Sequence, residues 1–200
     1  MRRAEANTCY AYTHCHNGEV SYGFRMVGEV GETWFEDETY TVFPGYIHNE
    51  DATWTGFIAR RFDGDKLIMK KDYNRLKDMV ENARVSIAES LKKVGRERDR
   101  ELQAGDYLLH YYVDHEVSST CYKILEISEY GYKVISLLDI NKHAFCYKAR
   151  EYEFIEDHER EWIENALLID EAQCAKAIAA ALDVHNKVVE NLKTLLYGKR

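Results

Sequence analysis

The stretch "THCHNGE", residues 13–19, constrains the fold more than any other, because Asn17-Gly18 stands between two runs of alternating side-chain character. Asn-Gly suits the two central positions of a type I′ turn, both of which need positive φ, and alternating runs on either side make it a tight hairpin. With a two-residue loop, residue 16 faces 19, 15 faces 20 and 14 faces 21, and each step along a strand changes face. Cys9, Ala11, Thr13 and Cys15 then share a core-like face with Val20, Tyr22, Phe24 and Met26. Tyr10, Tyr12, His14 and His16 share the opposite face with Glu19 and Ser21. Parity therefore parts the thiols from the imidazoles and excludes a mixed Cys/His zinc site within this stretch. His14, His16 and Glu19 remain as a ligand set for a metal-dependent hydrolase, set against the plainer reading of solvent-facing histidines beside a wet turn. The expectation is no metal and no cofactor.

Two further alternating runs, TWFEDETYTVF (33–43) and ATWTGFIARRF (52–62), follow across Gly28–Gly31 and Pro44-Gly45. Residues 1–65 thus read as an antiparallel meander of three or four strands. Over 66–104 the period changes to that of a long helix, with Tyr73, Leu76, Val80, Ala83, Ile87 and Val94 on one stripe. Gly95 weakens that helix by about 1 kcal/mol relative to alanine, and "GRERDRE" after it reads as a solvated end. Gly105 stops it. Residues 105–155 return to period two in five short runs (DYLLHYYV, TCYKILEIS, GYKVISLLD, HAFCYKA, EYEFI), which suits a small SH3-like β-barrel. Tyr122 and Ile124 against Leu125 and Ile127 make one strand apolar on both sides, so helices are expected to cover the barrel. Residues 156–200 read as a C-terminal helical region whose seam runs through Cys174, Ile178, Ala181, His185, Val188, Leu192 and Leu195. Its expected partner is the 73–94 stripe, with a homodimer through the C-terminal helix as the alternative. The fold class is accordingly α+β: N-terminal antiparallel sheet, long helix, SH3-like barrel and C-terminal helices packed as one body.

Composition enters mainly by exclusion. The 200 residues carry a net charge of −8, which disfavours general binding to phosphate backbones. The basic group Lys92, Lys93, Arg96, Arg98 and Arg100 is the one place where a nucleic-acid binder could begin. The cysteines Cys9, Cys15, Cys121, Cys146 and Cys174 show no CxxC pair, which fits a reducing compartment. No apolar run follows the arginines of MRRAEANTCYAY and none is long enough for a membrane span, so a soluble, cytoplasmic chain is expected. Phosphate-loop, nucleophile-elbow and zincin patterns are missing, and His48-Asn49-Glu50-Asp51 lacks the spacing of a calcium loop. Three-residue spacing sends His143 and Cys146 to opposite faces, and His185 reads as a hydrogen-bonded histidine at a core edge.

What stands out is tyrosine, 15 copies, and the acidic run Glu29, Glu32, Glu36, Asp37, Glu38, Glu50 and Asp51, interrupted by no lysine or arginine. Tyrosine offers an apolar ring with a polar tip, suited to interfaces and half-exposed sheets, and spaced carboxylates on a sheet can imitate a phosphate backbone or merely guard an edge. The functional expectation is a non-catalytic protein-binding accessory or inhibitory protein, of the kind a phage directs at host machinery. It would act through Tyr10, Tyr12, Glu32, Glu36 and Glu38, together with a loop at Asp114, His115 and Glu116 that joins two strands. Another protein is the expected partner, without membrane or nucleic acid.

Overall fold

In the computed structural model, residues 5–16, 18–55, 65–113, 117–148, 152–156, 163 and 165–198 are described. They divide into two compact units, residues 1–81 with 184–200, and residues 82–183.

The first unit begins with the expected hairpin. Strands β1 (Thr8–His16) and β2 (Glu19–Val30) pair with His16 opposite Glu19, Cys15 opposite Val20 and His14 opposite Ser21. Strand β3 (Trp34–Phe43) follows β2, and β4 (Tyr46–Thr55) follows β3 across Pro44-Gly45, where Gly45 takes φ 100° in the loop closed by Phe43 and Tyr46. The fourth strand therefore starts six residues before the 52 expected from alternation, because the Pro-Gly turn is a two-residue loop. A short β5 (Lys66–Ile68) pairs with β1 and completes the order β5-β1-β2-β3-β4.

One face of this sheet packs under helices. Phe24 stacks on Tyr40 with ring centroids 4.7 Å apart, and Tyr73 of helix α1 (Lys70–Val94) meets Phe24 edge-on at 5.6 Å. Leu76 and Val80 of the same stripe are buried. Tyr73 donates a 2.6 Å hydrogen bond to Glu38, which also pairs with Lys77 and accepts from Tyr40, so this carboxylate ties the helix to β3. Helix α2 (Glu171–Tyr197) adds Val188 and Leu192, and its Leu196 carbonyl accepts from Lys66. Lys66 and Phe24 both project on the same side by register, so the opposite face, with Tyr12 and Arg25, carries no described helix.

The second unit corrects the sequence expectation. Strands β6 (Tyr107–Val113), β7 (Val117–Ser128), β8 (Gly131–Ile140) and β9 (Ala144–Cys146) follow one another as antiparallel neighbours. Strand β10 (Tyr152–Glu156) pairs with the first half of β8, and β11 (Leu167–Ile169) pairs with β6. This order does not return to itself, so the segment is open sheet and not an SH3-like barrel. Among the described residues the strands number 11, all paired antiparallel, with two long helices. The class is thus a sheet-dominated open fold at 48% strand, without several C-terminal helices. Closure fails because the free edge of β6 is taken by β11. Of the residues that make β7 read as apolar on both faces, Ile124 and Tyr122 pack in a cluster with Leu108, Val134, Ile155, Ile163 and Ala166, whereas Ile127 is exposed; the helix contact on this strand is made by Cys121, which meets Cys174 of α2.

The helix boundaries also differ from the periodicity. Residues 66–68 are strand, and α1 ends at Val94 because Arg96 exchanges backbone hydrogen bonds with Leu168 at 2.9 and 2.8 Å. Gly95 is required there by proximity: a Cβ would lie 2.7 Å from Leu167 Cδ1 and 3.1 Å from its Cβ. Helix α2 starts at Glu171, opened by Asp170, whose N–H donates to the Gln173 side chain, one half of a capping box. The 156–170 part of the expected C-terminal helices is strand where it holds an assigned element, β11; residues 157–162 and 164 lie outside the described residues. The α2 seam is buried within the chain at Cys174, Ala181, His185, Val188 and Leu192, with His185 Nε2 2.9 Å from the Phe43 carbonyl. Cys174 meets Cys121 of β7, and Ala177 lies across a cleft from Leu91 of α1. No described helix is long and apolar enough to cross a membrane.

Candidate functional site

The face of the first sheet opposite the described helices is ordered in cross-strand rows. Register places Tyr10, Arg25, Thr39 and Glu50 side by side across β1 to β4, and Tyr12, Gly23, Thr41 and His48 in the next row. Neighbouring strands lie about 5 Å apart, so each row is a contiguous patch of side chains.

Arg25 is the anchor of the first row. It is 5% exposed, and its Nη1 donates to Asp37 at 3.2 Å while Nη2 donates to Asp65 at 3.0 Å. Asp37 also accepts from Thr39 at 3.0 Å, and the Tyr10 ring lies beneath the guanidinium, 5.2 Å from its carbon. Charges taken out of water persist only when paired and hydrogen-bonded, and this cluster meets that condition. Burial nonetheless pushes the Asp37 carboxyl above the usual range, against the opposing pull of Arg25, and nearby Glu50 pushes it the same way.

In the second row, Tyr12 lies flat across Gly23. A Cβ on Gly23 would sit 2.1 Å from Tyr12 Cζ and 2.6 Å from Cε1, so only glycine admits the ring. The ring thereby spans β2, and its hydroxyl shares a 2.7 Å hydrogen bond with Thr41 on β3. Burial pushes the Tyr12 phenol up to about 12, so it stays protonated at neutral pH. Above both rows is a recess of about 600 Å³ whose walls include Tyr12, His14, Phe43, Glu50 and the Arg25 cluster. Its aromatic floor and convergent polar groups have the make-up of a ligand pocket. Two smaller clefts of about 420 Å³ in the second unit, one beside Lys133 and Phe154 and one between Leu91 and Ala177, bring no buried ion pair with them among the described residues.

The residues proposed from sequence do not form one surface. Tyr10 is buried with Val27 and Phe35, while Tyr12 floors the recess. Glu36 and Glu38 project from the helix-covered side of β3, Glu36 exposed and Glu38 bonded to α1, and Glu32 is exposed in the turn before β3. Asp114, His115 and Glu116 lie outside the described residues. The uninterrupted acidic run is thus divided in space: Asp37 is neutralised by Arg25 and Glu38 by Lys77, leaving Glu29, Glu32, Glu36, Glu50 and Asp51 exposed.

Of the proposed metal ligands, His14 and Glu19 are exposed, and the side chain of His16 is outside the described residues. Among the described residues no three His, Cys, Asp or Glu side chains gather as a metal site. The basic group is largely occupied: Arg96 pairs with Asp170 at 2.7 Å, Arg100 forks onto Asp106 at 2.6 and 2.8 Å, and Lys92 sits over the Tyr111 ring. All five cysteines are free, and Cys146 is buried, its thiol donating to the Lys148 carbonyl.

Sequence reasoning missed Arg25, Asp65, Thr39 and Thr41, and took Asp37 and Glu50 only as members of the acidic run. The available signal was an arginine on β2 at the parity of Tyr10 and Tyr12, opposite the core-like face; its carboxylate partners come from β3 and from just before β5, which no spacing rule connects.

Fold and site together define an antiparallel sheet protein that carries a polar, aromatic-floored recess on the sheet face opposite the described helices. No family model, curated protein or solved structure matches this chain.

Proposed function

We propose that the protein is a non-catalytic binding protein, of the accessory or inhibitory kind, that engages another protein through the face of its first sheet opposite the described helices. The observation that carries this reading is the recess itself: a tyrosine ring laid on a glycine, held by Thr41, beside a buried Arg25–Asp37–Asp65 cluster. Groups fixed in this way are prepared for recognition, because their ordering cost is met on folding and not on association. The same groups are poor catalysts at neutral pH. Tyr12 holds its proton, and Asp37 is committed to Arg25 and Thr39. Tyrosine at the centre of a half-buried surface is also the residue type that dominates binding hot spots.

The test is capture of partners from the native host by tagged protein, comparing wild type with Glu50→Lys, which alters an exposed wall of the recess, and Glu153→Lys, an exposed control on β10. The expected result is a protein retained by wild type and by the control and released by Glu50→Lys. Retention of nothing above background, or equal retention by all three, would overturn the reading.

A further inference from the structure

We infer that the recess over Tyr12 receives a guanidinium group, the arginine side chain of a protein partner. This rests on the recess being the recognition surface, and adds the chemistry it recognises.

Three observations converge. The first is shape. One face of the Tyr12 ring is pressed on the Gly23 backbone, and Tyr12 lines the recess, so the ring offers its other face as a flat platform. A planar cation gains from lying over such a face, and guanidinium does so more often than ammonium. The protein already uses this contact one row away, where Arg25 lies over Tyr10. The second is charge. Among the described residues the walls hold three carboxylates, Asp37, Asp65 and Glu50, and one guanidinium, that of Arg25. Arg25 spends Nη1 and Nη2 on two of them, which leaves Glu50 exposed on β4, beside Thr39. An anion would meet net negative walls, whereas a second guanidinium meets a carboxylate it can fork onto. The third is the state of Asp37. Burial and the nearby Glu50 already work against its ionised form, so added positive charge between the two carboxylates relieves a tension that the apo protein carries.

The recess is a polar cavity, and its ligand is distinguished by plane and charge together. Lysine supplies the charge without the plane. Citrulline supplies the plane without the charge.

The experiment is titration of the ¹⁵N-labelled full chain with capped peptides identical except for one central Arg, Lys or citrulline, with free arginine and inorganic phosphate as further arms. The Arg peptide is expected to shift the amides of Tyr12, Gly23 and Thr41, with the Lys peptide weaker by about threefold to fivefold and citrulline weaker still. Glu50→Gln should weaken the Arg peptide by about threefold to fivefold. Tyr12→Phe, which keeps the ring, should leave the response close to wild type, whereas Tyr12→Leu should abolish it in protein whose remaining spectrum is unchanged. A response to citrulline equal to that to arginine, a stronger response to phosphate, or no shift in the Tyr12–Gly23–Thr41 row would overturn the inference. A response to free arginine equal to that of the peptide would overturn a protein as its source. If the Arg peptide is inert while partner capture still depends on Glu50, the guanidinium assignment fails and the binding reading stands. If the Arg peptide binds and no partner is captured, the binding reading fails instead.

Discussion

Replacing Arg25 with methionine removes the guanidinium and keeps most of the side-chain volume. The carboxylates left behind are those of Asp37 and Asp65, with side chains 8% and 2% exposed, so neither regains water when its partner goes. Breaking a buried pair by deleting one partner costs about 3–5 kcal/mol, and here one deletion strips two acids. The expected loss is about 4 kcal/mol near neutral pH, a large part of the stability of an ordinary domain. The variant should also acquire a pH dependence of definite sign. Burial already raises the Asp37 carboxyl against the pull of Arg25, and without Arg25 that opposition is gone, so its folded-state pKa stands above the unfolded value of about 4. The folded state then holds a proton that the unfolded state releases, so the stability this group contributes is full below about pH 4 and is lost as pH rises through its folded value. Urea unfolding of wild type and Arg25→Met, at mildly acidic and neutral pH, reads both effects. The deficit should be largest at neutral pH and shrink toward acid, and the triple change Arg25→Met, Asp37→Asn, Asp65→Asn should recover much of it. A neutral-pH deficit below about 1 kcal/mol, the size of a surface pair, or one that is the same at both pH values, would refute the claim that this cluster is a buried, mutually dependent unit.

Gly95→Ala separates two arguments: helix propensity predicts a gain of up to about 1 kcal/mol, whereas the approach of Leu167 predicts a loss of about 1–3 kcal/mol, and thermal unfolding should show the loss. Gly23→Val should drive the Tyr12 ring from its seat and break the Thr41 bond, at about 1 kcal/mol for the hydrogen bond alone, visible as changed Tyr12 ring resonances with β1–β2 amide exchange otherwise protected. The Arg100 fork holds the Asp106 carboxyl below its usual range, so it supports the fold above the unfolded pKa and that support is lost as pH falls through the folded one; Asp106→Asn should flatten the acid limb of the stability profile and leave alkaline behaviour unchanged. Glu50→Gln should bring the Asp37 carboxyl down toward the ordinary range, read directly by carboxyl-carbon NMR titration; an unmoved titration would show that Glu50 does not act on it.

The amino-acid sequence by itself determined what is local. Asn17-Gly18 with two alternating runs set the β1–β2 register, and with it the sides on which Cys15 and His14 stand. The three-and-four spacing from Tyr73 to Leu91 set the buried stripe of α1, and that from Cys174 to Leu192 the stripe of α2. Rules of period two and 3.6 act over a few residues, so they are legible in a string. Which edges meet is decided elsewhere. Residues 105–155 have the periodicity of a barrel and form open sheet, because β6 finds β11, and the helix stops at Val94 because Arg96 finds Leu168. Only half of the candidate site was therefore visible: Tyr12 stood on its expected face, but Arg25 lies 12 residues from Asp37 and 40 from Asp65 along the chain. A buried charge has to be neutralised by whatever the packing brings within about 3 Å of it, and that is a property of the assembled sheet, where alternation fixes the side a residue faces and never its neighbour across the strand.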